Sequence, residues 1–490
     1  MMKILFIILC VTFLTFSQTV SVYNVKDYGA KGDGISFDTK ALQESIDNCS
    51  VRGGTVLIPP GKYLTGSLVL KSNVDIYLQN GSTILGSPNL SDYESHTPEI
   101  KSFNDIFLKF SLFYAENAVN ISIRGGGTID GQGSFFKVLS KKKPDKYKDR
   151  PFIIRFIKCS HIKIEGITLR NSAMWMQQYL ACENLFIHNI NVFNHANLNN
   201  DMMDIDGCKN VVISDCTGDT DDDGITLKST SPYPTENVII NNCLISSHCN
   251  AIKIGTESIG GFHNINFSNI VVTPSSVKKT MSGYPGGISG ITFVDVDGGN
   301  LDAIQISNIR IDGPKVPIFL LLGDRGRKYT MDSPKPPVGS FRNVSLSNIT
   351  ADNVSDIGCL ITGISGHDID GISLNNIKIN FPGRVNNGDY EKNLPEFEKE
   401  YPEATMWNKL PAYGFFIRHV KNLNMNNIEL SFMKKDERHA IVLDHVYNAV
   451  INGLIASLPE KEEKAINIVN SQNIYVKNST IKNSFSNENK

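Results

Sequence analysis

An all-β fold, a single-stranded right-handed parallel β-helix with an N-terminal capping helix, is predicted by a recurring motif, its spacing and its turn residue. The motif is Asn-φ-x-φ-x-x-φ, with φ apolar, as in Asn184-Leu185-Phe186-Ile187-His188-Asn189-Ile190 and Asn343-Val344-Ser345-Leu346-Ser347-Asn348-Ile349. Further copies begin at Asn120, Asn210, Asn264, Asn422 and Asn473, at spacings of about 23 to 28 residues or longer where loops intervene. Alternation gives each strand one buried face, and asparagine tolerates the left-handed turn between strands. A coil this short cannot bury its apolar face alone, so successive coils must stack. Residues from roughly 120 to 480 then form one solenoid.

Along the chain, residues 1–17 read as a secretory signal: Lys3, an apolar run from Ile4 to Phe16, and the small residues Thr15 and Ser17 before Gln18. The run is too short for a transmembrane helix, for which about 20 residues are needed. An exported chain of residues 18–490 without a membrane span, periplasmic or extracellular and monomeric, is expected. Asp38 is placed to cap a short helix whose Leu42, Ile46 and Cys49 share one face and cover the open end of the solenoid. Gly53 to Gly61 starts the first strands. Two long interruptions, Lys137 to Arg150 and Pro382 to Tyr413, read as cleft walls.

Composition narrows the function classes. A formal net charge of −2 gives no global attraction to nucleic acid or an anionic membrane. An acidic ligand must therefore be met by local lysines and arginines. Of nine cysteines, Cys10 falls in the leader, and Cys159, Cys182 and Cys208 share one repeat position, which predicts a stack of buried thiols. Sequons at Asn120, Asn266, Asn343 and Asn478 fall in the repeat pattern and read as structural asparagines.

Two aspartate clusters carry the chemistry: Asn199-Asn200-Asp201-Met202-Met203-Asp204-Ile205-Asp206 and Asp219-Thr220-Asp221-Asp222-Asp223-Gly224. If Asp201 and Asp222 stack on neighbouring rungs, about 4.8 Å apart, mutual repulsion raises the proton affinity of at least one carboxyl. Such an arrangement in a groove marks acid/base chemistry more often than architecture. On a regular strand Asp222 and Asp223 would point to opposite faces, so a bulge is expected there. Asp219, Asp221, Asp223 and Gly224 also match the start of an EF-hand loop, but its twelfth position is Thr230, so no metal is expected.

The stretches Tyr28 to Gly34, Leu64-Thr65-Gly66, Gly127 to Gly133, Arg150-Pro151, and Asn199 to Gly207 followed by Asp222-Asp223 resemble glycoside hydrolase family 28, the polygalacturonase-like hydrolases. The resemblance implies an inverting hydrolase of α-linked galacturonic acid in pectic polysaccharide or oligosaccharide, without a cofactor. It implies Asp222 as general acid, with Asp201 and Asp223 positioning and deprotonating the attacking water. Inversion needs acid and base roughly 6.5–9.5 Å apart. The family's Gly-His-Gly aligns with Cys249-Asn250-Ala251, leaving Asn250 or the nearby His248 in its place, and its Arg-Ile-Lys clamp aligns with Thr292-Phe293-Val294. Asn199, Asp204, His248, Asn250, Lys228, Lys253, Arg325 and Arg327 form the expected substrate-binding set, and Arg418 is a further candidate cation. Trp175 and Trp407 are expected to pack rather than stack on sugars. The alternatives are a rhamnogalacturonan-directed hydrolase of the same family, a calcium-dependent pectate-lyase-like enzyme, and a non-catalytic carbohydrate-binding β-helix.

Overall fold

A computed structural model of the chain describes residues 21–102, 107–140, 142, 145–384, 390–391, 393–458 and 464–479. The leader reading at 1–17 lies outside the described residues. The strands pair in parallel and in sequence order, each with the equivalent strand of the next coil, which is the pattern of a β-helix. Phe152–Ile157, Ser160–Glu165 and Thr168–Arg170 make one coil, paired respectively with Gln177–Leu180, Glu183–His188 and Asn191–Asn194 of the next.

Alternation in the sequence becomes columns in the core. One column runs Ile162, Leu185, Val211, Val238, Ile265, Ile304, Val344, Ile372 and Leu423 through successive registers. All are at most 2 % exposed. Burying each such side chain contributes about 1.5–3 kcal/mol. The turn asparagines add a second column: Asn184, Asn210, Asn237 and Asn264 all have φ between 54° and 56°. The amides of Asn210, Asn237 and Asn264 each donate to the preceding asparagine, at 3.2, 3.1 and 2.8 Å. These bonds are exposed and worth at most about 0.5–1.5 kcal/mol each, so the apolar column dominates stability while the asparagines fix the turns. The sequons at Asn120, Asn343 and Asn478 follow this pattern, donating to Asn73, Asp302 and Asn452, whereas Asn266 lies within the strand Phe262–Val272.

The capping helix, α1, spans Thr39–Arg52 and buries Ala41, Leu42, Ser45, Ile46 and Cys49. It covers strands at the start of the solenoid, including Gly54–Ile58. Asp38 does not cap it with its side chain. Its carboxylate instead accepts from the Lys31 and Gly32 backbone N–H groups at 2.6 and 2.9 Å, because the preceding loop folds back over it. Cys159, Cys182 and Cys208 are free and buried, in matching register before Ser160, Glu183 and Lys209. The second long interruption has its own apolar cluster, in which Trp407 packs against Phe319 and Phe397, with ring centroids 5.7 and 5.3 Å away.

Candidate active site

The two aspartate clusters meet at one corner of the solenoid. Asp201 lies just before the strand Met203–Asp206, and residues 221–224 form a bend between the strands Thr217–Thr220 and Ile225–Ser229. Register pairs Met203 with Ile225 and Ile225 with Ile252. This column aligns Asp201 with Asp223 and then Asn250, so pairing Asp201 with Asp222 is one residue out. The Met202 N–H donates to the Asp223 carbonyl at 2.9 Å, and the Gly224 N–H to that of Asn250 at 2.8 Å. The expected bulge is a bend instead. Strand alternation does not apply in a bend, so neighbouring Asp222 and Asp223 both face the cavity.

That cavity has a volume of about 510 Å³ and includes Asn199, Asp201, Asp222, Asp223, Lys228 and Lys253. Both long interruptions supply walls, as expected: Lys146 and Tyr147 from the first, Tyr401 and Glu403 from the second. Arg418 pins the second by donating to the carbonyls of Leu394 and Pro395 at 2.7 and 3.2 Å. Its neighbour His419 meets Glu396 at 2.9 Å. Arg418 is therefore a structural clamp on the wall.

Electrostatics separates the three carboxyls. Burial and then the neighbouring Asp223 charge push Asp222 up to about 6, against the opposing pull of Lys253 and Lys146. Burial works against ionisation of Asp223 too, but Lys253 and Lys228 outweigh it and hold Asp223 below the usual carboxylate range. The Lys253 ammonium lies 2.7 Å from Asp223 Oδ2, while the Asn250 amide donates to Oδ1 at 2.7 Å. Asp201 is pushed well above its ordinary value by burial, then by Asp204, Asp222 and Asp223. Its Oδ1 accepts no hydrogen bond from the described residues. Asn199 donates to Asp222 at 3.4 Å and accepts from Arg150 at 3.1 Å.

The substrate-binding set is only partly brought together. Asn199, Asn250, Lys228 and Lys253 sit in or against the cleft, Asn250 as a support for Asp223. Asp204 is fully buried behind it, 3.5 Å from Lys228, and burial pushes it up to about 8. His248 is also fully buried. One ring nitrogen meets Asp221 at 2.9 Å and the other the Val277 carbonyl at 2.8 Å, so it does not replace the family histidine in the cleft. Arg325 pairs with Asp297, and Arg327 lies 2.9 Å from Glu257. The two arginines form a layer behind Glu257, because buried acids already face them.

The second cluster thus divides by function. Asp219 and Asp221 are anchors: Asp219 accepts from Ser275 and Ser276, Asp221 from the Met281 and Ser282 N–H groups. They tie down the segment whose Ser282 and Gly283 line the cavity. Sequence reasoning missed Lys146, Tyr147, Glu257, Tyr401 and Glu403. Their only signal was membership of the two interruptions or, for Glu257, alternation within a strand. Trp407 is packed as expected, 1 % exposed, whereas Trp175 is buried yet borders the cavity, with Lys228 Nζ 4.8 Å from its ring centroid.

Two groups bring three possible metal ligands within 4.8 Å of one another: His195, Asp221 and His248, and Asp222, Asp223 and Cys249. In the first, both His248 nitrogens and both Asp221 oxygens are engaged by protein partners. In the second, Asp223 is paired with Lys253, and burial holds the Cys249 thiol protonated. In the first group only His195 Nδ1 is left without a hydrogen bond among the described residues, its Nε2 meeting Asp219 at 2.8 Å.

Comparison with known proteins agrees with the geometry. The chain is 27% identical over 377 residues to a probable polygalacturonase of Vitis vinifera, covering 73% of this chain and 74% of that one. It is 26% identical over 415 residues to an exo-poly-alpha-D-galacturonosidase of Dickeya chrysanthemi, covering 72% and 66%. The fold is shared with a hyperthermoactive exopolygalacturonase from Thermotoga maritima, at a TM-score of 0.60 and 21% identity over 74% of this chain and 87% of that one. It is also shared with a family 28 exopolygalacturonase of Yersinia enterocolitica, at a TM-score of 0.64 and 19% identity over 88% and 78%. A match to glycosyl hydrolases family 28 runs over residues 51–398 and takes in Asp201, Asp222 and Asp223, and the chain belongs to that family of O-glycosyl hydrolases.

Proposed function

We propose that the protein hydrolyses α-linked galacturonic acid in pectic polysaccharide or oligosaccharide, with inversion at the anomeric carbon. The observation that carries this reading is the divergence of two adjacent carboxyls in one cleft, Asp222 raised to about 6 and Asp223 held low. Paired carboxyls pushed apart in this way take opposite roles. Asp222, still protonated in mildly acidic solution, donates to the glycosidic oxygen, and Asp223 with Asp201 orients the water and takes its proton.

The Asp222 and Asp223 side chains approach within 4.8 Å, tighter than the roughly 6.5–9.5 Å of a usual inverting pair. Asp223 nonetheless suits a base better than a covalent nucleophile. Its ion is held in place by Lys253 and by two donors from Asn250, and membership of glycosyl hydrolases family 28 supports a base there. Asp201, whose proton affinity is raised, holds the water at Oδ1, which accepts nothing from the described residues, while Asp223 takes the proton.

Galacturonate is favoured as the sugar by the relatives' substrates and by a lysine-bearing cleft that can receive an acid. The continuous solenoid supports reading 18–490 as one catalytic domain, and a cleft built from one chain supports a monomer. Export through the leader is part of the same proposal; no described helix is long and apolar enough to cross a membrane. The test is incubation with homogalacturonan, rhamnogalacturonan and their oligosaccharides, followed by product mass and the anomer first formed by NMR. Inverted galacturonate ends are expected. An unsaturated product, a retained anomer, or cleavage of rhamnogalacturonan alone would each overturn the corresponding part.

A further inference from the structure

The cations of the cleft differ in what already neutralises them. Lys228 lies 3.5 Å from Asp204 and 3.4 Å from Glu257, and Lys253 lies 2.7 Å from Asp223. Both are buried: drawing Lys253 toward a substrate would leave Asp223 without its ion pair, which is strongly unfavourable, and Lys228 is held between Glu257, Asp204 and the Trp175 ring. At Thr292-Phe293-Val294, where the family clamp would fall, Phe293 and Val294 are fully buried and Thr292 faces Asn250. No cation reaches the cleft from there.

Lys146 is different. It stands on the first long interruption, in the short turn Asp145–Tyr147, half-buried at the cavity wall. Its ammonium lies 5.5 Å from the Tyr147 ring centroid and makes no ion pair with an acid among the described residues. The neighbouring Asp145 is paired with Lys148 instead, at 2.7 Å. The structure assigns to Lys146 the recognition of the substrate's uronate carboxylate, in place of the missing clamp. Lys146 and Asp222, the proposed acid, line the same cavity. The recognised carboxylate therefore belongs to a sugar bordering the bond that breaks. The ammonium is a point charge held over an aromatic face, suited to one carboxylate without the fixed fork of an arginine.

This assignment rests on the galacturonate reading, and the experiment separates the two. Wild type, Lys146→Met and Lys146→Arg are assayed on oligogalacturonate and on its methyl ester, with thermal melts to verify folding of this half-exposed site. Loss of a charge-assisted contact predicts a fall of about 10- to 100-fold in kcat/KM for Lys146→Met on the acid. The loss falls mainly in KM on the acid, which narrows the preference for acid over ester, with partial recovery in Lys146→Arg. A wild type active on the acid, with Lys146→Met keeping the same preference for acid over ester, overturns the Lys146 assignment alone. A wild type that cleaves neither overturns the substrate reading and this assignment with it.

Discussion

Replacing Lys253 by methionine removes the ion pair that divides the labour between Asp222 and Asp223. The ammonium is 2.7 Å from Asp223 Oδ2, and both side chains are under 10 % exposed. Removing one partner of a buried pair costs about 3–5 kcal/mol. If most of that falls on the ionised form, the proton affinity of Asp223 rises at least about 100-fold. The Asn250 donors remain but carry no charge. The working state needs Asp222 protonated and Asp223 ionised, a window bounded above by about 6 in wild type. In Lys253→Met both bounds climb, the lower one further because Lys253 touches Asp223 directly, and the window narrows. The acidic limb of the kcat/KM profile should move upward by about two pH units, and the loss relative to wild type should grow as pH falls, approaching about 100-fold below the wild-type limb. Stability should follow the same sign. Asp223 is depressed in the folded protein, so its pairing stabilises above the ordinary carboxylate value and is lost as pH falls through the folded one. The melting-temperature gap between wild type and variant should therefore be widest at neutral pH and shrink in acid. A folded Lys253→Met variant with an unmoved acidic limb and kcat/KM within about threefold of wild type would refute the reasoning.

Asp222→Asn should lose at least about 1,000-fold in kcat while melting higher than wild type at pH 7 to 8. Its raised proton affinity means that ionisation costs stability as pH rises through about 6, so the gain should vanish near pH 4. Asp221→Asn weakens the anchor for His248 and for the Met281 and Ser282 N–H groups. Limited proteolysis should show earlier cutting between Ser275 and Tyr284, with an activity loss on the order of tenfold. Trp407→Ala empties a site 1 % exposed between Phe319 and Phe397 and should cost about 3–5 kcal/mol in denaturant unfolding. Because Tyr401 and Glu403 ride on that segment, KM should rise more than kcat falls; unchanged KM would detach this wall from substrate binding.

The repeat itself determined the solenoid. A strand with one buried face needs only alternation, and a left-handed turn needs only a tolerant residue, so the apolar column and the asparagine ladder were both legible in single copies of the motif. The three acids were legible for a similar reason: crowded carboxyls are a local signal. What each acid does was decided by tertiary structure. Whether Asp201 aligns with Asp222 or Asp223 depends on a one-residue register set by backbone pairing across coils. That Asp219 and Asp221 are anchors depends on a segment more than fifty positions later folding back over them. His248, Arg325 and Arg327 looked available because a sequence shows a charge but not its partner, and each meets a buried acid contributed by another coil. Lys146 escaped notice for the converse reason: it pairs with no acid among the described residues, and only the folded cleft makes that visible.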